Sequence, residues 1–267
     1  MKQLPLLSIV ACGMFEDEIT HLIENDKDIS SIIIAKNENC IGLTGKLDTV
    51  CIEYTFSSLE DIPTLLERQD NENFILVVNV LELALDASPE RLKDEVYEVV
   101  QSMSGFSDGI LVFYGLCGNV LGNIESDLSS PSCPVYILKD EYGNVVDDCI
   151  CASLGGRQVY AGLLTGEERG EGTYFLTPMQ AAHWREMVVI AKLTPDPDNI
   201  EMTKAVFDYS GYCNVGKIDT GLSYEAHFDE QVDEFAELFD LDLVEMEGNT
   251  TIVDESYRKL RSEVLMK

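Results

Sequence analysis

Along this chain, short continuous apolar runs alternate with longer stretches of helical period. "LPLLSIVA" (4–11), "SSIIIA" (30–35), "NFILVVNVL" (73–81) and the start of "GILVFYGLCGNVLGN" (109–123) have the length and composition of buried strands. Between them, "FEDEITHLIEN" (15–25) puts Phe15, Ile19, Leu22 and Ile23 on one helical face. "SSLEDIPTLLERQD" (57–70) offers Ser58 as an N-cap with Asp61 three residues on, a weak capping box. "SPERLKDEVYEVVQSM" (88–103) opens with Ser88 at the N-cap and Pro89 at the first helical position. Further on, "GTYFLTP" reads as a strand, 178–193 and 196–209 as helices, 225–239 as a helix, 241–247 as a strand and 253–265 as a helix.

A strand exposed on one face alternates in polarity, and these do not alternate. They predict an α/β protein built on a mainly parallel, Rossmann-like sheet covered by helices on both faces. No low-complexity linker interrupts the pattern, so residues 1–267 read as a single α/β domain with a soft internal boundary near 104–108. "LLSIVACGMFEDEI" and "GILVFYGLCGNVLGNI" share strand, small residue, Cys, Gly and helix start. That echo reads either as two similar half-domains or as chance likeness between two βα turns.

Composition narrows the function classes. Of 267 residues 45% are hydrophobic, enough for a sizeable core. The net charge of -31 repels phosphate backbones and anionic lipid, which argues against nucleic acid or a membrane surface as partner. No stretch approaches the ~18 apolar residues of a membrane span and no secretory leader is recognisable, so a cytoplasmic protein is expected. Eight cysteines (12, 40, 51, 117, 133, 149, 151 and 213) in a chain of this kind point to thiol, metal or redox chemistry before disulfides.

Ligands of open parallel sheets sit outside the carboxyl ends of the strands. Cys12 and Cys117 fall there, and Cys149 opens a segment of helical character after two aspartates. Gly115 and Gly118 flank Cys117, permitting positive φ and close backbone approach. Three thiolates converging from separate turns would hold zinc with one open position, or an iron–sulfur cluster with one available iron. The competing reading is that they are ordinary buried cysteines, as Cys40, Cys51, Cys133 and Cys213 are expected to be. His21, His183 and His227 are scattered and read as helix-face residues. The glycines of "GLCGNVLG" match neither phosphate-loop pattern, and "SLGGRQ" (153–158) with Arg157 is at most a weak anion cradle.

"VFYGLCGN", "DDCICASLGGRQVY" and "GTYFLTP" followed by Trp184, with "ACG" at 11–13, together resemble the skeleton of the domain-of-unknown-function 1638 family. The resemblance runs over roughly residues 6–190. It implies a setting in the anaerobic one-carbon metabolism of methanogens and anaerobic bacteria, near corrinoid-dependent methyltransferases. It also implies that the recurrent cysteines are Cys12, Cys117 and Cys149. Two departures stand out: Asp86 occupies the region where members carry His, and "MQAAHW" replaces a Gly-Trp after "LTP".

The leading expectation is therefore a metal- or iron–sulfur-binding protein whose Cys12, Cys117 and Cys149 hold the metal. Tyr114, Asn119, Arg157 and Thr177 would contact substrate or support the ligands, and a small-molecule thiol, a methyl carrier or a corrinoid protein would be the partner. The alternatives are a non-catalytic partner or assembly factor for a corrinoid methyltransferase, its acidic surface docking a basic face, and a metal-free enzyme using Cys117 as nucleophile. No residue presents itself as a catalytic base, and a homodimer is the default assembly.

Overall fold

The computed structural model describes residues 4–66, 73–166 and 172–266. In chain order the elements are β1 (Leu6–Cys12), α1 (Glu16–Asn25), β2 (Ile29–Ala35), α2 (Ile41–Thr49), β3 (Thr55–Ser57), α3 (Ile62–Leu66), β4 (Phe74–Leu81), α4 (Pro89–Ser104) and β5 (Gly109–Phe113). They continue with α5 (Ile124–Leu128), β6 (Val135–Ile137), α6 (Cys149–Ser153), α7 (Arg157–Gly166), β7 (Gly172–Leu176), α8 (Pro178–Ala182) and α9 (Trp184–Ile190). The last are α10 (Ile200–Ser210), β8 (Tyr212–Asp219), α11 (Phe228–Phe239), β9 (Asp242–Glu247) and α12 (Thr251–Leu265).

The first six strands form one parallel sheet in the order β3-β2-β4-β1-β5-β6. Every residue of β1, β4 and β5 is buried, as the unbroken apolar runs require when helices cover both faces. The protein is thus a Rossmann-like α/β protein. In this order the chain leaves β1 toward β2 on one side, and leaves β4 toward β5 on the other. The mouths of β4, β1 and β5 therefore open side by side where the winding reverses, the place such sheets bind ligands.

A second parallel sheet, β7-β8-β9, has its own core of Trp184, Phe207, Phe235 and Phe239 with Val215 and Val232. The chain then returns, and α12 packs on the large sheet against β5. Gly109 makes room for it: a Cβ there would lie 2.6 Å from Val264 and 2.9 Å from Leu260. The segment 104–108 joins α4 to β5, both belonging to the large sheet, where the Ser107 and Ser8 hydroxyls pair at 2.6 Å and Asp108 accepts the Leu6 N–H at 2.8 Å.

Several details differ from the sequence reading. The helix expected over 57–70 is the single turn and a half Ile62–Leu66, preceded by the Ser58–Asp61 contact, and residues 67–70 lie outside the described residues. The helix expected over 178–193 breaks at His183 into α8 and α9. β3, β6 and β8 had no strong apolar run to announce them: β3 and β6 are three residues each, and β8 alternates polar with apolar residues. His21 does lie on a helix, whereas His183 and His227 precede helices. Cys40 and Cys133 are buried as expected, but Cys51 is exposed and Cys213 half-buried.

Candidate functional site

The register of the large sheet brings the cysteine turns together. Ala11 pairs with Phe113, so Cys12 at the end of β1 stands beside Tyr114 leaving β5, and Cys12 itself pairs with Leu81 of β4. After β4 the chain turns through Ala84, whose φ of 54° is left-handed, into the turn that carries Asp86. After β5 the segment 115–117 lies against 146–148: Leu116 donates to the Val146 carbonyl at 2.8 Å and Cys117 to that of Asp147 at 2.9 Å. Gly115 is required by this approach, because a Cβ would meet the Val146 oxygen at 2.6 Å and backbone atoms of Asp147 and Asp148 at 2.7 Å. Cys149 follows two residues later at the start of α6, capped by Asp148, whose side chain accepts the Cys151 N–H at 2.8 Å.

Cys117, Gly118 and Asn119 all have positive φ, of 43°, 77° and 65°. A non-glycine residue such as Cys117 in the left-handed region costs roughly 1–2 kcal/mol, Asn119 less, and such strain collects at functional turns. Asn119 itself is exposed on this turn.

The second sheet supplies one wall. Thr177, at the end of β7, is buried and caps α8: its hydroxyl accepts the Gln180 N–H, and the Gln180 carboxamide oxygen accepts the Thr177 N–H at 3.0 Å. That box leaves the Gln180 amide nitrogen free to donate to the Cys149 sulfur, at 3.5 Å. Gln180 was missed by sequence reasoning, although Thr-x-x-Gln after a strand is a legible cap signal. The Arg157 guanidinium pairs with Asp147 at 3.1 Å.

At all three thiols burial works against the thiolate. Burial pushes Cys12 up to about 11, opposed by N–H donors from Met14 and Ala84. Burial likewise raises Cys117 and Cys149 well above the ordinary thiol; Cys12, Asp86 and Asp148 raise both further, and Cys117 also raises Cys149. Those two carboxyls are themselves raised by burial, and Asp148 also feels Asp86. Tyr114, raised first by burial, lies against Cys12 and Cys117. Its hydroxyl is fully enclosed and makes no hydrogen bond of ordinary geometry. The donor types suit a soft cation, yet the ring is not closed: among the described residues no three or more His, Cys, Asp or Glu side chains are grouped closely enough to hold a metal ion.

Among the described residues no helix is long and apolar enough to cross a membrane. Residues 80–257, more than half of the chain, match the sequence profile of one family, described as "Protein of unknown function (DUF1638)". The match takes in Asp86, Tyr114, Cys117, Cys149, Thr177 and Gln180 and leaves Cys12 outside. No curated protein and no solved structure matches the chain.

Proposed function

The chain belongs to the DUF1638 family of proteins of unknown function, and from that premise we propose that its crevice between the two sheets captures a thiophilic metal centre on Cys12, Cys117 and Cys149. The observation that supports this most is the chemistry of the neighbourhood. Three thiols and two carboxyls come from four separate turns, and the largest influences on the sulfurs are burial, neighbouring sulfurs, carboxyls and backbone N–H donors. Such a set is stable with its protons on, or with a cation in their place. A bound zinc ion or iron–sulfur cluster would supply that charge and lower the thiol pKa values outright.

Capture then requires the sulfurs to draw together. The Cys117 turn, strained and partly exposed beyond its two bonds to 146–147, would supply most of that movement, whereas Cys12 is held by its strand and by two backbone donors. Gln180 and the unpaired Tyr114 hydroxyl would serve as donors to thiolate sulfur, as ligand sulfurs require. A small thiol, methyl carrier or corrinoid-linked partner as substrate, and the link to one-carbon metabolism, are carried by the family resemblance alone.

Anaerobic purification of the full chain, followed by metal analysis and a visible spectrum, tests the proposal. About one zinc or about four irons per chain is expected. The metal should be lost in Cys117→Ser and Cys149→Ser variants that still fold. A colourless, metal-free chain that takes up neither zinc nor iron and sulfide on reconstitution refutes it. Copurification of such a chain with a methyltransferase would favour the assembly-factor reading.

A further inference from the structure

A second group of ionisable side chains ties the small sheet to the large one. Glu16, Asp17 and Glu18 are consecutive in the first turn of α1, and all three are buried. Lys46 of α2, also buried, faces them: its ammonium lies 2.9 Å from Asp17 Oδ1 and 4.0 Å from Glu16 Oε2, and it contacts Glu225 Oε1. Glu225 belongs to the loop between β8 and α11. The neighbouring Tyr224 donates its hydroxyl to Glu24 of α1 at 2.6 Å. One loop of the small sheet is therefore fastened to two helices of the large sheet by charge.

The charges do not balance. Four carboxyls (Glu16, Asp17, Glu18 and Glu225) meet one ammonium. Glu18 Oε2 and Asp17 Oδ2 are enclosed and accept no hydrogen bond among the described residues. The Glu16 carboxyl accepts the Leu43 N–H and lies directly against Gly42, in the space a Cβ there would take. Buried carboxylates without partners take up protons rather than stay ionised.

We propose that this knot is a proton-operated latch between the two sheets, closed while the α1 carboxyls hold an extra proton and loosened, with release of the 220–227 loop, when that proton leaves.

Burial pushes Glu16 up to about 7 and Glu18 up to about 8, with Lys46 opposing in both cases, and Asp17 is raised for the same reason. The other titratable groups on these elements have partners of their own: Asp48 of α2 accepts the Tyr54 hydroxyl at 3.0 Å, and His227 at the end of the loop lies 3.7 Å from Glu230. Glu24 is held by Tyr224, and His21 lies 3.4 Å from Asp254 of α12. The latch owes nothing to the thiols, so it stands or falls apart from the metal proposal.

Infrared spectroscopy and hydrogen exchange of the full chain test it. A carbonyl band from a protonated carboxylic acid is expected at about pH 7 and should be gone by about pH 9. Over the same interval, protection of amides in 220–227, corrected for intrinsic exchange, should fall by about tenfold or more. In Glu18→Gln the band should shrink and the fall should flatten. Absence of the band from the native chain at neutral pH, or an equal loss of protection in native and Glu18→Gln protein, overturns the proposal. Should the variant fail to fold, the infrared result on the native chain decides alone.

Discussion

Replacing Gly115 with alanine probes the contact on which the crevice is built. The new methyl would sit 2.6–2.7 Å from three backbone atoms of 146–148, none of which has a rotamer to change. Relief requires the two segments to part by about 1 Å, which takes both cross-links, Leu116 N–H to Val146 and Cys117 N–H to Asp147, beyond hydrogen-bonding range. Overpacking contributes about 1–3 kcal/mol and the two broken hydrogen bonds a similar amount, so the loss is about 2–6 kcal/mol. For a chain of this size that lowers Tm by roughly 4 to 24 °C. Gly45→Ala is the matched control: it lies inside α2 with nothing within 4 Å of the new Cβ, and stability there should change by less than about 1 kcal/mol, in the favourable direction. Paired thermal melts followed by circular dichroism read both. If Gly115→Ala melts within about 2 °C of the native chain, the account of how Cys117 is placed against Cys149 is wrong.

Tyr114→Phe removes a buried hydroxyl whose contact with the Cys12 sulfur falls short of ordinary hydrogen-bond geometry, so the metal-free chain should be unchanged or stabilised by up to about 2 kcal/mol in denaturant unfolding. A loss of more than about 1 kcal/mol would show that the hydroxyl is bonded after all. Stability should also fall as the solution becomes alkaline. Glu16 and Glu18 have folded pKa values raised above the ordinary 4.5, to about 7 and about 8, so the folded state holds the extra protons. Their contribution is therefore complete below about pH 4.5 and lost as pH rises through the two folded values. Denaturant midpoints at about pH 6 and about pH 9 should differ by on the order of 1–3 kcal/mol in native protein and by less in Glu18→Gln; equal midpoints in the native chain would contradict the burial of these carboxyls.

Much of the large sheet was legible because a strand buried on both faces has to be apolar throughout. β1, β2, β4 and β5 announce themselves in that way, and α4 carries its own start signal in Ser88 and Pro89. The Cys12 and Cys117 turns were legible for a related reason, since turns that follow such strands fall at one sheet edge, whereas Cys149, which follows the short β6 and its hairpin, was singled out only by its two preceding aspartates and by the family resemblance. β8 was missed because its alternating polar residues spread the apolar signal thin, and the break at His183 because α8 and α9 share one amphipathic run.

Local sequence by itself determined which segments become strands and helices of the large sheet, and that Cys12 and Cys117 lie near its carboxyl edge, because period and turn chemistry are written in neighbouring residues. Partners distant along the chain were decided only by the tertiary structure. Gln180 reaching Cys149, α12 returning onto Gly109, and Lys46 meeting Glu225 across 179 positions all depend on how the two sheets face each other. That arrangement, through the burial it imposes, turns Glu16, Asp17 and Glu18 from an ordinary acidic helix start into groups that hold protons near neutrality. Burial is a property of the packed whole, and no window along the chain contains it.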